Sequence, residues 1–144
     1  MIDCEIVPME TWWHLEHSIQ LARSCFKHDL KAIASLRDEI LDHNAFYWVI
    51  LVNGGVKGFG GIKKTGIHSQ VYECPWRVIN PEYRGHGIGN RLMQVRLDEI
   101  KRRGGQFVLL STPNPQLCEK FGFKLIATLK DTWAPYVMML KMDE

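Results

Sequence analysis

The residues in this chain best suited to do chemistry are Arg84-Gly85-His86-Gly87-Ile88-Gly89, which follow an apolar strand and a turn and open an amphipathic helix. Glycines this close together let backbone N–H groups approach an anion. A helix that starts there adds unpaired donors and partial positive charge. The guest this arrangement suits is a phosphate or pyrophosphate, although the same glycines could serve only the geometry of the turn. Two nucleotide motifs are excluded by spacing. No G-x-x-x-x-G-K-[ST] run is present, and Asn90 stands where a dinucleotide fingerprint needs its last glycine.

Other candidates are sparser. Glu73 lies eleven positions before Arg84 on the approaching strand, where a carboxylate handles protons, pairs with a neighbouring cation or faces solvent. Cys4, Cys25, Cys74 and Cys118 are far apart, with no C-x-x-C pair, so neither a disulfide framework nor a zinc site is expected. His14 and His17 form the one close histidine pair at helical spacing, and Glu16 between them points elsewhere, so no metal is expected there.

The elements that must position these groups can be read from periodicity. Ile2 to Pro8 reads as a first strand, and Thr11 offers an N-cap to a helix carrying Trp12, Leu15, Ile19, Ala22 and Phe26 at helical spacing. A second helix carries Leu30, Ile33, Leu36 and Ile40 and ends near Asn44. Phe46 to Val52 is a buried-strand run, Asn53-Gly54 suits a tight hairpin, and Val56 to Lys64 returns as its partner. A strand from about Ile67 to Ile79 is interrupted by Pro75, which predicts a bulge or splay because proline cannot donate to a ladder.

A helix follows from about Gly87 to Arg103, with Ile88, Leu92, Met93, Leu97 and Ile100 inward and Gly104-Gly105 ending it. Gln106 to Ser111 is a strand, Gln116 to Phe121 a short helix, and Phe123 to Leu129 and Trp133 to Met142 are closing strands. The order predicts a mixed α/β (α+β) fold with early antiparallel hairpins and a right-handed parallel crossover through the Gly87 helix. No repeat or linker marks a boundary, so one domain over 1–144 is expected.

Composition agrees with an ordinary globular protein, with 46% hydrophobic and 24% charged residues. A formal charge of +2, with basic residues scattered apart from Lys101, Arg102 and Arg103, does not mark a nucleic-acid binder. The first residues carry acid where a signal peptide carries base, and the longest apolar run is too short to span a bilayer. A cytoplasmic protein with no membrane partner is expected.

The pattern Arg84-x-x-Gly87-x-Gly89, preceded by Val78-Ile79-Asn80-Pro81-Glu82-Tyr83, resembles the acetyl-CoA-binding motif of the GNAT superfamily of N-acetyltransferases. Cys118-Glu119-Lys120-Phe121-Gly122-Phe123 is similar to a second signature of that family, which usually has tyrosine at the first position. The resemblance implies a seven-stranded mixed sheet with about four flanking helices, splayed between the fourth and fifth strands to admit the pantetheine arm of acetyl-CoA. It also implies that the backbone of Arg77, Val78 and Ile79 bonds the pantetheine, with the Val78 N–H polarising the thioester carbonyl. By the same resemblance Arg84 and the N–H groups of Gly85, His86, Gly87, Ile88, Gly89 and Asn90 hold the pyrophosphate. Asn114 stands at the position of a cofactor-contacting asparagine.

The implied reaction is direct attack of a primary amine, on a small molecule or a peptide, on the thioester. Such an amine has a pKa of about 10.4, so only about one molecule in a few thousand is nucleophilic at neutral pH and a proton acceptor must help. The resemblance assigns that role to Glu73. Cys118 occupies the place of the tyrosine that protonates the departing thiolate. It donates its own proton, leaves that step to water, or lets the thiolate leave unaided; a fourth option, acetylation of Cys118 itself, requires an activated thiolate, and Lys120 is the one adjacent His or Lys. Trp13, His17, Asp29, His68, Asp131 and Trp133 fall in regions that line the acceptor in this family. Dimers are frequent there, so a homodimer is among the expectations. The competing expectation is a domain that binds acyl-CoA but has lost turnover, for which the missing tyrosine is the main sign.

Overall fold

A computed structural model of the chain describes residues 3–142, so the opening of the expected first strand, at Ile2, lies outside the described residues. Among them are β1 (Glu5–Pro8), α1 (Trp12–Cys25), α2 (Leu30–Leu41), β2 (Ala45–Val52) and β3 (Gly55–Lys64). Then come β4 (Val71–Glu73), β5 (Arg77–Ile79), α3 (Ile88–Arg102), β6 (Phe107–Thr112), α4 (Gln116–Glu119), β7 (Lys124–Thr128) and β8 (Tyr136–Lys141). The result is the mixed α/β fold expected, with an open and mostly antiparallel sheet. Its eight described strands, against seven expected, arise because the strand over 67–79 is broken into β4 and β5 around Pro75.

The chain forms two compact units, one of residues up to Ile62 with Pro75–Leu97, the other of Lys63–Cys74 with the residues from Asp98 onward. In the first, β1 pairs antiparallel with β2, β2 neighbours β3, and β5 pairs antiparallel with β3. Asn53 and Gly54, with φ of 51° and 80°, turn the β2–β3 hairpin, the left-handed pair that Asn-Gly tolerates best. The Thr11 Oγ1 accepts the His14 N–H at 3.0 Å and the Asp29 Oδ1 accepts the Ala32 N–H at 3.2 Å, so both early helices carry side-chain caps. Leu15, Ile19, Ala22, Ile33 and Leu36 face Tyr47, Val49, Phe59 and Val78 in one core. Full burial of each Leu, Ile, Val or Phe among them contributes about 1.5–3 kcal/mol.

In the second unit the last residues of β3 pair with β4, β4 runs parallel to β6, and β8 lies antiparallel between β6 and β7. The parallel pair is the one expected from a crossover through α3. Tyr72, Ile100, Val108, Phe123 and Met138 are buried there. Among the described residues no helix is long and apolar enough to cross a membrane.

The C-terminal turn of α3 holds a charge cluster. Glu99 binds Arg102 at i+3 and Arg103 at i+4, the latter at 2.7 Å. The Arg102 hydrogen bond, helped by Arg103, pulls the Glu99 carboxyl down from 4.5 to about 2. A depressed carboxylate stabilises the fold above its unfolded pKa, and that contribution is lost as pH falls through the folded value. Glu99→Gln is therefore expected to lower stability at pH 7 by about 0.2–1 kcal/mol, the range for surface pairs. Thermal melts should show the gap closing as pH falls from 4.5 toward 2.

Candidate functional site

The glycine-rich turn is built by local backbone chemistry. After β5 the Asn80 Oδ1 accepts the Glu82 N–H at 3.0 Å, and Pro81–Tyr83 form a single 3-10 turn. Arg84 closes the corner by donating Nε–H to the Ile79 carbonyl at 3.0 Å, so this side chain also clamps the turn. Gly85 and Gly87 both have φ of 78°, a conformation that explains why glycine occupies these positions. His86 turns back into the loop and donates from Nδ1 to the Arg84 carbonyl at 2.9 Å.

Because α3 begins at Ile88, the N–H groups of Ile88, Gly89 and Asn90 lie in its first turn, where no intrahelical acceptor exists. A Cβ on Gly89 would collide with the Arg77 guanidinium, so this cation lies against that first turn. Helix N-terminus, left-handed glycines and an adjacent guanidinium together suit a polyanion such as a pyrophosphate.

One strand earlier, β5 pairs with β3 through Gly58–Ile79, Phe59–Val78 and Gly60–Arg77. Asn80 donates its N–H to the Lys57 carbonyl at 2.8 Å, and antiparallel alternation then turns the Val78 N–H toward β3 as well. The N–H groups of Arg77 and Ile79 are directed to the opposite edge. The Val78 N–H, to which the resemblance assigned thioester polarisation, is thus turned toward β3, and the Val78 side chain is in the core.

The break before β5 has a distinct build. Pro75 offers its carbonyl to the Gly61 N–H at 3.2 Å, and Trp76 adopts φ of 57°, unusual for a bulky aromatic. The Trp76 indole N–H donates to the Glu39 Oε2 at 3.2 Å, and its ring meets Phe26 edge-on at 5.7 Å. Its carbonyl accepts from the Arg96 Nη1 at 2.8 Å. The sequence reading missed Arg96, although it lies four residues from both Leu92 and Ile100, on the inward stripe of α3.

Glu73, Asn114 and Cys118 stand on three elements of the second unit. Glu73 is half-buried in β4, with Lys63 directly across on β3 and Leu109 on β6. Lys63 is therefore the neighbouring cation that could pair with it. Asn114 is exposed, and its N–H donates to the Thr112 Oγ1 at 3.1 Å. Cys118 is 5% exposed on the one-turn α4, and Gly122 at φ 98° lets the chain leave that turn into buried Phe123.

Of the residues placed near the acceptor, Asp29 caps α2, and the His68 Nδ1 accepts the Gln70 N–H at 3.1 Å in the turn before β4. Trp13 stacks on His17 with ring centroids 4.1 Å apart. Asp131 takes φ of 59° in the turn after β7, and Trp133 is exposed.

The sequence profile of the acetyltransferase (GNAT) domain matches residues 43–125. No curated protein is matched. Among solved structures, a GNAT family N-acetyltransferase (YhbS) from Escherichia coli in complex with CoA shares the fold with a TM-score of 0.80 and 20% identity, over 98% of this chain and 82% of its own. The PaiA N-acetyltransferase from Thermoplasma acidophilum, in complex with coenzyme A, gives 0.75 and 19% over 98% and 100%. An aminoglycoside 6'-N-acetyltransferase complexed with coenzyme A gives 0.79 and 17% over 94% of each chain. At such identities the likeness is one of fold. With more than half of its length matched by the family profile, the chain belongs to the GNAT acetyltransferase family.

Proposed function

We propose that the chain is an acetyl-CoA-dependent N-acetyltransferase that transfers an acetyl group to a primary amine by direct attack on the thioester. The observation that carries this reading is the turn at Gly85–Asn90, where left-handed glycines, the first turn of α3 and the Arg77 guanidinium converge in an arrangement suited to a pyrophosphate. The coenzyme held by three proteins of the same fold supports it.

In this reading the N–H groups of Gly85, His86, Gly87, Ile88, Gly89 and Asn90 hold the pyrophosphate, with Arg77 beside them and Arg84 holding the corner. Acetyl-CoA, when bound, supplies an activated acetyl thioester. The outer edge of β5, with the N–H groups of Arg77 and Ile79, holds the pantetheine, and Asn114 adds a polar contact to the coenzyme. The Arg77 N–H donates to the carbonyl oxygen as negative charge develops there. Glu73 accepts the proton of the incoming ammonium, directly or through one water. Buried Cys118 fills the general-acid position without being required there, since a thiol with a pKa of about 8.5 leaves tolerably near neutrality.

The test is thiol release from acetyl-CoA with a panel of amines, from small mono- and diamines to peptide α-amines. Amine-dependent release together with a mass gain of one acetyl group on the acceptor is expected. Tight acetyl-CoA binding without release for any amine would identify a binding domain instead.

A further inference from the structure

We infer that Arg96 is a positioning residue for acyl transfer, because it holds and polarises the Trp76–Arg77 peptide whose N–H faces the outer edge of β5. The inference rests on the acetyltransferase reading above.

Arg96 is 1% exposed and brings a guanidinium into the interior. Burying a charge is costly unless strong partners replace water. Both of its hydrogen-bond partners are backbone carbonyls, Trp76 O at 2.8 Å and Gly61 O at 3.3 Å, reached from the same Nη1. Its Nε is buried without a partner. A side chain needed only for packing on the apolar stripe between Leu92 and Ile100 would be aliphatic and would carry none of this cost.

The location gives the charge a use. The bulge at Pro75–Trp76 gives the Gly61 N–H to Pro75, and Arg96 serves the Gly61 carbonyl. Gly60 leaves room for this arrangement, since a Cβ there would lie 3.0 Å from the Trp76 oxygen and 3.4 Å from the Arg96 Cζ.

No cis peptide occurs among the described residues, so the Arg77 N–H points away from the Trp76 carbonyl that Arg96 holds. A charged donor on that oxygen draws electron density from the amide nitrogen and strengthens the N–H as a donor. Arg96 thus acts through the peptide, on the donor that faces the developing oxyanion. The left-handed Trp76, tied also by its indole N–H to Glu39, keeps the peptide in this orientation.

The test compares Arg96→Gln, a neutral donor, with Arg96→Lys, which keeps the charge, by kcat, by acetyl-CoA affinity and by the Arg77 amide NMR shift. Removing a whole oxyanion donor costs about 10²–10³-fold in kcat, so loss of polarisation alone should cost about 10–100-fold. Arg96→Gln is expected to lose that much kcat with acetyl-CoA affinity unchanged and the Arg77 amide proton moved upfield, and Arg96→Lys should restore most of both. A folded Arg96→Gln with wild-type kcat would overturn the inference, as would an Arg77 shift unmoved in both variants. If Arg96→Gln does not fold, the Lys variant decides: wild-type Arg77 shift with lost kcat rejects the role, and both retained supports it. If the wild-type protein acetylates no amine, the acetyltransferase reading fails on its own and takes the catalytic role with it.

Discussion

Gly89→Glu is expected to abolish stabilisation by acetyl-CoA while leaving a folded protein. The helical position accepts a side chain, and an acid in the first turn of α3 complements the helix dipole. The new Cβ displaces only the flexible end of Arg77, and the carboxylate then competes with a pyrophosphate for that guanidinium and for the helix N-terminus. Acetyl-CoA at 100 times its Kd should stabilise the wild-type protein by about 2.7 kcal/mol. At about 2–4 °C per kcal/mol for a domain of this size, Tm should rise by about 5–10 °C. Gly87→Glu should also lose the shift, but its φ of 78° adds strain, so Gly87→Ala is the control that separates strain from charge. Arg84→Ala should weaken binding less, since backbone supplies most of the anion contact. Equal Tm shifts for wild type and Gly89→Glu would remove the cofactor assignment.

Glu73→Gln is expected to reduce kcat/KM by about 10²–10⁴-fold, the cost typical of losing a positioned proton acceptor. The acceptor amine is mostly protonated at neutral pH and loses its proton unaided as pH rises, so the deficit should shrink toward high pH. The amide keeps the size of the carboxylate, and with Lys63 across the ladder a modest stability change accompanies it; acetyl-CoA affinity should stay near wild type. Cys118→Ala, by contrast, should keep substantial turnover, because its burial is that of a packing residue. An inactive but acetyl-CoA-binding Cys118→Ala protein beside a fully active Glu73→Gln protein would move the chemistry to the thiol. An acyl-cysteine mass would then be sought.

Much of the scaffold was legible because it depends on short-range chemistry. Asn53-Gly54, the glycines at 85 and 87, and Gly122 require backbone conformations that few other residues accept, so residue type alone marks those turns. Thr11 caps its helix within three residues, and Pro75 marks a broken ladder wherever it sits in a strand. The two motifs that carry the family resemblance are runs of this kind, which is why the family was readable from them. Asp29 and His68, expected near the acceptor by analogy, make local hydrogen bonds.

What only the tertiary structure decided depends on partners distant in sequence. The direction of the Val78 N–H follows from register parity with β3, and a shift of one residue would reverse it. Within the break that Pro75 makes between β4 and β5, the way Trp76 is held depends on Glu39, 37 positions away, and on Arg96, 20 positions away. The spacing of Arg96 puts it on the inward stripe of α3, but what its charge meets there is decided only when the carbonyls of Gly61 and Trp76 are brought beside it. Hydrophobic periodicity records which face of a helix is buried, but the worth of a charge on that face depends on acceptors delivered by other strands.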